Sequence, residues 1–151
     1  MPTHYTGDEA TRLALDAFIK LSRARKALGY RTGQLLAEYG LTESQLGTLE
    51  VLYYLGPMCQ SDIGNKLLVT GGNMTMVINN LEKRGLVSRQ RDPADRRQIT
   101  VSLTETGQQL IGELFPRHAQ NIANLMNILS PLELEELGRL CKMLGRQERD
   151  E

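Results

Sequence analysis

The sequence predicts a mainly α-helical chain carrying one small β-hairpin, and three observations support this. Apolar residues recur at helical spacing through most of the 151 residues. The period changes once, where Leu86-Val87-Ser88-Arg89 and Gln98-Ile99-Thr100-Val101-Ser102-Leu103 are short, β-branched and partly alternating. Between these two runs, Asp92-Pro93-Ala94-Asp95 is a turn by composition. Two antiparallel strands joined by a tight loop follow.

From about Asp8 to Tyr39 the pattern is helical, with a break or bend expected near Gly29. Leu13, Phe18, Leu21, Leu28 and Leu35 mark an apolar side, and Arg12, Lys20, Arg23, Arg25, Lys26 and Arg31 mark a basic side that reads as a solvated face. Leu41-Thr42-x-x-Gln45 is a capping box. It opens a helix with Leu46, Leu49, Leu52, Tyr53 and Leu55, which Gly56-Pro57 ends. A short helix from about Gln60 to Leu68 buries Ile63 and Leu67, and Val69-Thr70-Gly71-Gly72 turns the chain into the next helix. Two short helices joined by a Gly-containing turn make a helix-turn-helix pair.

The second helix of the pair has a buried stripe of Met74, Val77, Ile78 and Leu81, and Gly85 is a natural C′ residue that stops it after Arg84. The opposite face is Asn73, Thr75, Met76, Asn79 and Asn80, polar but almost uncharged. Asn and Thr offer donors, acceptors and methyl groups suited to base edges in a major groove. Gly71-Gly72 has two readings. The pair lets the turn reach φ > 0 close to the first helix, or it leaves bare amides at a helix N-terminus that a phosphate can approach; both stay open at this point.

After the hairpin, Thr104 caps a long helix to about Leu129, with Leu110, Ile111, Leu114, Phe115, Ile122, Leu125 and Met126 inside. Pro116 is expected to kink it or break its hydrogen-bond ladder. Ser130-Pro131-Leu132-Glu133 starts a last helix, whose stripe of Leu137, Leu140, Cys141 and Leu144 ends near Gly145. Cys141 reads as packing, and the charged tail from Arg146 to Glu151 is expected to fray.

Eighteen basic and eighteen acidic residues give a net charge of zero, with a pI near 6.7. This argues against indiscriminate binding of polyanions. The charge is unevenly placed, however: Lys83 to Arg97 holds six basic and two acidic residues, a local basic patch of the kind that binds DNA. The two cysteines, Cys59 and Cys141, form no metal-ligand spacing, so neither a metal nor a cofactor is expected. No basic leader precedes an apolar run and no segment approaches a membrane span, so a cytoplasmic protein with reduced thiols is expected. The sequence contains no GxSxG, GxxxxGK[ST] or HExxH, and no enzyme is expected.

Leu81-Glu82-x-x-Gly85-Leu86-Val87-x-Arg89, then Asp92-Pro93-x-Asp95-Arg96-Arg97, then Leu103-Thr104-x-x-Gly107, resembles the winged helix-turn-helix of the MarR family of bacterial transcriptional regulators. The likeness runs in register from Leu41-Thr42-x-x-Gln45 to Gly107. It implies one MarR-like domain over 1–151, with the winged helix-turn-helix at about 41–107 and dimerisation helices at about 8–39 and 104–146. The terminal helices are also more apolar than so small a module needs for its own folding. By this resemblance the chain is a homodimer on a double-stranded DNA operator, its two recognition helices in successive major grooves roughly 34 Å apart. The operator is then pseudo-palindromic, and the protein is a repressor released by a small aromatic or phenolic effector or by an oxidant. The alternatives are a redox- or quinone-sensing regulator acting through Cys59, or a winged-helix module for protein contacts.

Carried over position by position, the family's DNA contacts fall on Gly71, Gly72, Asn73, Thr75 and Met76 of the recognition helix and on Arg89, Arg91, Asp95, Arg96 and Arg97 of the wing. Arg97 matches the arginine that relatives insert in the minor groove, Asp95 matches the carboxylate that braces it, and Arg91 and Arg96 suit phosphates. Many relatives have Arg where Met76 stands, so contact with thymine methyls replaces a guanine-reading fork there. Cys59 stands at a helix N-cap, where relatives carry Thr or Ser and where the positive helix end favours a thiolate. It is not the N-terminal cysteine of the family's peroxide sensors. His118 and Tyr53 are the other effector candidates, and Tyr30, Tyr39, Tyr54 and Phe18 add to the aromatic content.

Overall fold

The computed structural model of the chain describes residues 2–146. In order, the elements are α1 (Glu9–Glu38), α2 (Glu43–Leu55), β1 (Met58–Cys59), α3 (Gln60–Leu67), α4 (Gly71–Lys83), β2 (Val87–Arg91), β3 (Ile99–Leu103), α5 (Glu105–Met126) and α6 (Pro131–Arg146). The fold is thus mainly helical, as expected. The fraying expected of the tail concerns residues 147–151, which lie outside the described residues.

The chain divides into two compact units, one ending at His118 and the other starting at Ala119. The core of the first draws on every element from α1 to α5. Leu36, Leu49, Ile63, Met74, Ile78, Leu81, Val101, Ile111 and Leu114 are each no more than 2% exposed. The stripe foreseen for α4 is the buried one, with Val77 packed at its edge. In the second unit, Ser130 and Glu133 form a reciprocal capping box: the Ser130 N–H donates to Glu133 Oε2 at 2.8 Å, and the Glu133 N–H donates to Ser130 Oγ at 3.3 Å. No residue of α6 is buried.

Local signals set most boundaries. Thr42 and Gln45 make the capping box that starts α2, and Thr104 Oγ1 accepts from the Gly107 N–H at 3.0 Å at the start of α5. α1 and α4 end in the same way. Gly40 (φ 64) and Gly85 (φ 72) take the left-handed C′ position. The Leu41 N–H returns to the Leu36 carbonyl and the Leu86 N–H to the Leu81 carbonyl, both at 3.0 Å. These are Schellman turns, and each tucks its following leucine into the core.

Several expectations are corrected. α1 runs unbroken through Gly29, because one glycine costs a helix only about 1 kcal/mol relative to alanine. α5 also continues through Pro116: the proline offers no N–H to the Gly112 carbonyl, so the ladder loses one rung, as one of the two expectations has it, and the helix runs on. It ends at Met126 rather than Leu129. The turn between α3 and α4 takes its positive φ at Leu68 (φ 54), not at Gly71-Gly72, which lie inside α4 with open space where their Cβ atoms would be. The structural reading of that glycine pair is therefore wrong, since neither a left-handed turn nor a close approach requires it. Ile122 is 39% exposed, and Cys141, Leu140 and Leu144 are exposed rather than packed. On α1, Leu13, Phe18 and Leu21 are exposed as well.

The sheet has three strands in the order β1-β3-β2. β2 and β3 pair antiparallel from Val87↔Leu103 to Arg91↔Ile99, and β1 adds Met58↔Val101 and Cys59↔Thr100. β1 was not foreseen, since two residues after Gly56-Pro57 carry no period. It matters because it ties the residues that lead into α3 to the free edge of β3.

Candidate nucleic-acid interface

α4 is held by its apolar stripe so that Asn73, Thr75, Met76 and Asn80 are exposed, with Asn79 half-buried. Thr70 caps it, its side chain accepting from the Asn73 N–H at 3.4 Å. The first N–H groups of a helix have no partner within it. Here Gly71 and Gly72 have open space where their Cβ atoms would be, which leaves room for an anion at those amides. Thr75 is more constrained than the sequence suggests. Its hydroxyl donates to the Gly71 carbonyl at 3.0 Å and accepts from Gln60 Nε2 at 2.9 Å, which leaves its methyl group and one acceptor lone pair free. Gln60 was missed by sequence reasoning: it opens α3, and no helical spacing joins it to Thr75.

The hairpin loop is internally tied. The Asp92 N–H donates to the Gln98 carbonyl at 3.0 Å, the Ala94 N–H to Asp92 Oδ1 at 2.8 Å, and Arg91 Nη1 to the Arg96 carbonyl at 3.1 Å. Arg91 thus stiffens the loop that presents its neighbours. Asp95 Oδ1 accepts from the Arg97 N–H at 3.1 Å and from its Nε at 3.4 Å, the brace expected of it. Arg97 itself projects into solvent, 94% exposed, and Arg96 is exposed.

Arg89 is placed differently. It grips Glu82 of α4 with Nε at 3.2 Å and Nη2 at 3.0 Å and is half-buried, and its hydrogen bonds hold the Glu82 carboxyl below the ordinary carboxylate range. This pair fixes the wing to the recognition helix, so Arg89 does not extend into solvent as Arg96 and Arg97 do.

The three effector candidates do not share a site. Cys59 is the N-cap of α3 without a side-chain capping bond, half-buried, its Sγ 3.8 Å from Gln98 Oε1. It lines a hollow of about 440 Å³ with Gln60, Met74, Thr75 and Arg97. His118 lines another hollow of about 450 Å³ with Arg25, Glu43 and Glu50, where Arg25 pairs with Glu43. Tyr53 lines neither, and instead meets Tyr54 edge-on at 5.1 Å.

His118 is 9% exposed and its Nδ1 has no hydrogen-bond partner among the described residues. Burial pushes its pKa below the ordinary 6.5, with Glu50 and Glu43 opposing in part. A lowered histidine pKa means the unfolded chain takes the proton more readily. Stability is then full above pH 6.5 and is lost as the pH falls below it. In urea titrations, the midpoint of the wild type is expected to drop between pH 6.5 and the carboxylate range. His118→Gln is expected to flatten that drop, and equal slopes in both proteins would refute it.

A helix-turn-helix with a bare helix start, an uncharged reading face and a basic, carboxylate-braced wing defines a winged-helix DNA-binding protein. Comparison with known proteins narrows the class. The family model described as MarR family matches residues 41–99. The HTH-type transcriptional regulator MhqR of Bacillus subtilis (strain 168) is 33% identical over 135 residues, covering 89% of this chain and 93% of that protein. The S. aureus MepR–DNA complex matches with a TM-score of 0.75 at 27% identity, covering 84% of this chain and 95% of that one. Bordetella bronchiseptica BpsR, whose structure concerns regulation of DNA binding by 6-hydroxynicotinic acid, matches at 0.79 and 26% identity, covering 85% and 98%. The chain belongs to the MarR family. It is a DNA-binding transcriptional regulator, not an enzyme, and no helix among its described residues is long and apolar enough to cross a membrane.

Proposed function

We propose that the chain is a cytoplasmic homodimeric repressor that binds a pseudo-palindromic operator and is released by a small aromatic or phenolic ligand. The observation that carries the DNA reading is the coupled geometry of α4 and the wing. Glu82–Arg89 ties the two together, while Gly71, Gly72, Asn73, Thr75 and Met76 on one and Arg91, Arg96 and Arg97 on the other provide base and phosphate contacts. The uncovered leucines and phenylalanine of α1, Leu13, Phe18 and Leu21, supply apolar surface for a second copy. The relative MepR has been seen on DNA, and DNA binding by the relative BpsR is regulated by a hydroxylated aromatic acid. Release follows if the effector binds the DNA-incompetent spacing of the two recognition helices better than the competent one, since only differential affinity shifts an equilibrium.

An oxidant acting through Cys59 is the second reading. Its support is that Cys59 lines the same hollow as Thr75 and Arg97, so added bulk on the sulfur would press on both reading elements. Selection of genomic fragments by the purified protein, at two salt concentrations and with and without a thiol oxidant, tests both readings. One palindromic sequence bound less tightly at high salt is the expected result. Loss of binding with oxidant in the wild type but not in Cys59→Ser supports the second reading, and failure to enrich any fragment overturns the operator reading.

A further inference from the structure

Arg84 belongs to the basic run from Lys83 to Arg97, yet its guanidinium is engaged elsewhere. Nη1 donates to the Gly40 carbonyl and Nη2 to the Tyr39 carbonyl, both at 2.9 Å. These carbonyls close α1, whose last turn contains no basic residue. The negative end of a 30-residue helix therefore takes its counter-charge from the C-cap of the recognition helix. Tyr39 is held from a further side. Its phenolic oxygen accepts from Arg117 Nη1 of α5 at 2.6 Å, and the Arg117 guanidinium lies 5.5 Å from the centre of its ring.

The residues beside Arg84 are equally committed. Glu82 is paired with Arg89 on β2, and the Gly85 carbonyl accepts from the Thr104 hydroxyl at 2.6 Å, just before α5. The backbone at Arg84 is set by the Schellman turn that ends α4. The guanidinium thus starts from a rigid base and reaches two acceptors with one planar fork, which a lysine cannot do.

We infer that Arg84 is a positioning residue for DNA binding: it contacts no phosphate, and instead locks the end of the recognition helix to the end of α1, so that α4 is presented at an angle that follows α1. The inference rests on the proposed dimer, in which α1 lies at the contact between copies and the α1–α4 joint sets the distance between the two reading helices.

The test uses Arg84→Lys and Arg84→Gln in the full chain. The probes are the duplex most strongly recovered by the wild type from a random library, the same duplex with one base pair added between half-sites, and a scrambled duplex. The added pair moves the half-sites apart by about 3.4 Å and about a tenth of a turn. Both variants are expected to bind the selected duplex about tenfold more weakly and the scrambled one about as well as the wild type. The slope of log affinity against log salt is expected to stay unchanged, and the penalty for the added base pair to shrink.

A phosphate contact predicts otherwise. Arg84→Lys would then bind as the wild type does, and Arg84→Gln would weaken all duplexes alike with a slope reduced by about 0.9. Either result overturns the inference. If Arg84→Gln does not fold, Arg84→Lys decides alone, since it keeps the charge and loses the fork. A wild type that recovers no duplex removes the operator reading and this inference together, whereas recovery by the wild type with a normal Arg84→Lys removes the clamp only.

Discussion

Gly107→Ala is expected to lower the unfolding free energy by about 3 kcal/mol, at the upper end of the range for overpacking. Gly107 is buried in the first turns of α5, and a Cβ there would lie 2.0 Å from the Leu86 carbonyl oxygen and 2.9 Å from its carbon. Both are backbone atoms that no rotamer change can move aside. The Leu86 backbone is also held on its other side: its N–H closes the Schellman turn of α4 onto the Leu81 carbonyl at 3.0 Å, and its carbonyl accepts from the Thr104 N–H at 3.1 Å. Relief of the clash must shift the end of the recognition helix, the start of the wing or the start of α5. Urea unfolding should show the loss, and the folded fraction should also bind operator DNA less well. A midpoint equal to that of the wild type would refute the requirement for glycine at this contact.

The same position shows how far the sequence could be read. Leu103-Thr104-x-x-Gly107 was recognisable only through its resemblance to a family pattern, and the contact that requires glycine joins residues with a strand pair between them. Features set within one turn of chain were plain. The capping boxes at Thr42 and Ser130, the Gly85 stop and the stripe of Met74, Ile78 and Leu81 lie where the spacing places them.

Features set by partners distant in sequence were not. Counting charge made the six cations from Lys83 to Arg97 look alike, whereas folding commits Arg89 to Glu82 and Arg84 to the end of α1 and leaves Arg96 and Arg97 outward. Glycines at 71 and 72 suggested the turn, but a leucine takes the left-handed conformation three residues earlier. An apolar stripe also reads the same whether its own chain or another covers it, which is why Cys141 looked like core.

Arg97→Ala is expected to cost about 1–3 kcal/mol of operator affinity while leaving the unfolding free energy from urea titration within about 0.5 kcal/mol of the wild type. The two readouts separate because the side chain is 94% exposed and its ion pair with Asp95 is long, at 3.4 Å, so it does little for the fold. For binding it extends into solvent from a loop that Arg91 and Asp92 tie down. Asp95 limits the rotamers that Arg97 must give up on entering a groove, and its bond to the Arg97 N–H at 3.1 Å holds the backbone from which that side chain starts. Asp95→Ala should therefore weaken binding too, by roughly 1 kcal/mol, since only part of an arginine's rotamer entropy is at stake. In the Arg97→Ala, Asp95→Ala double variant, the second change should add little, because a brace with nothing to hold has no further effect. Additive losses would assign Asp95 a role of its own, and an unchanged affinity for Arg97→Ala would remove the wing tip from the interface.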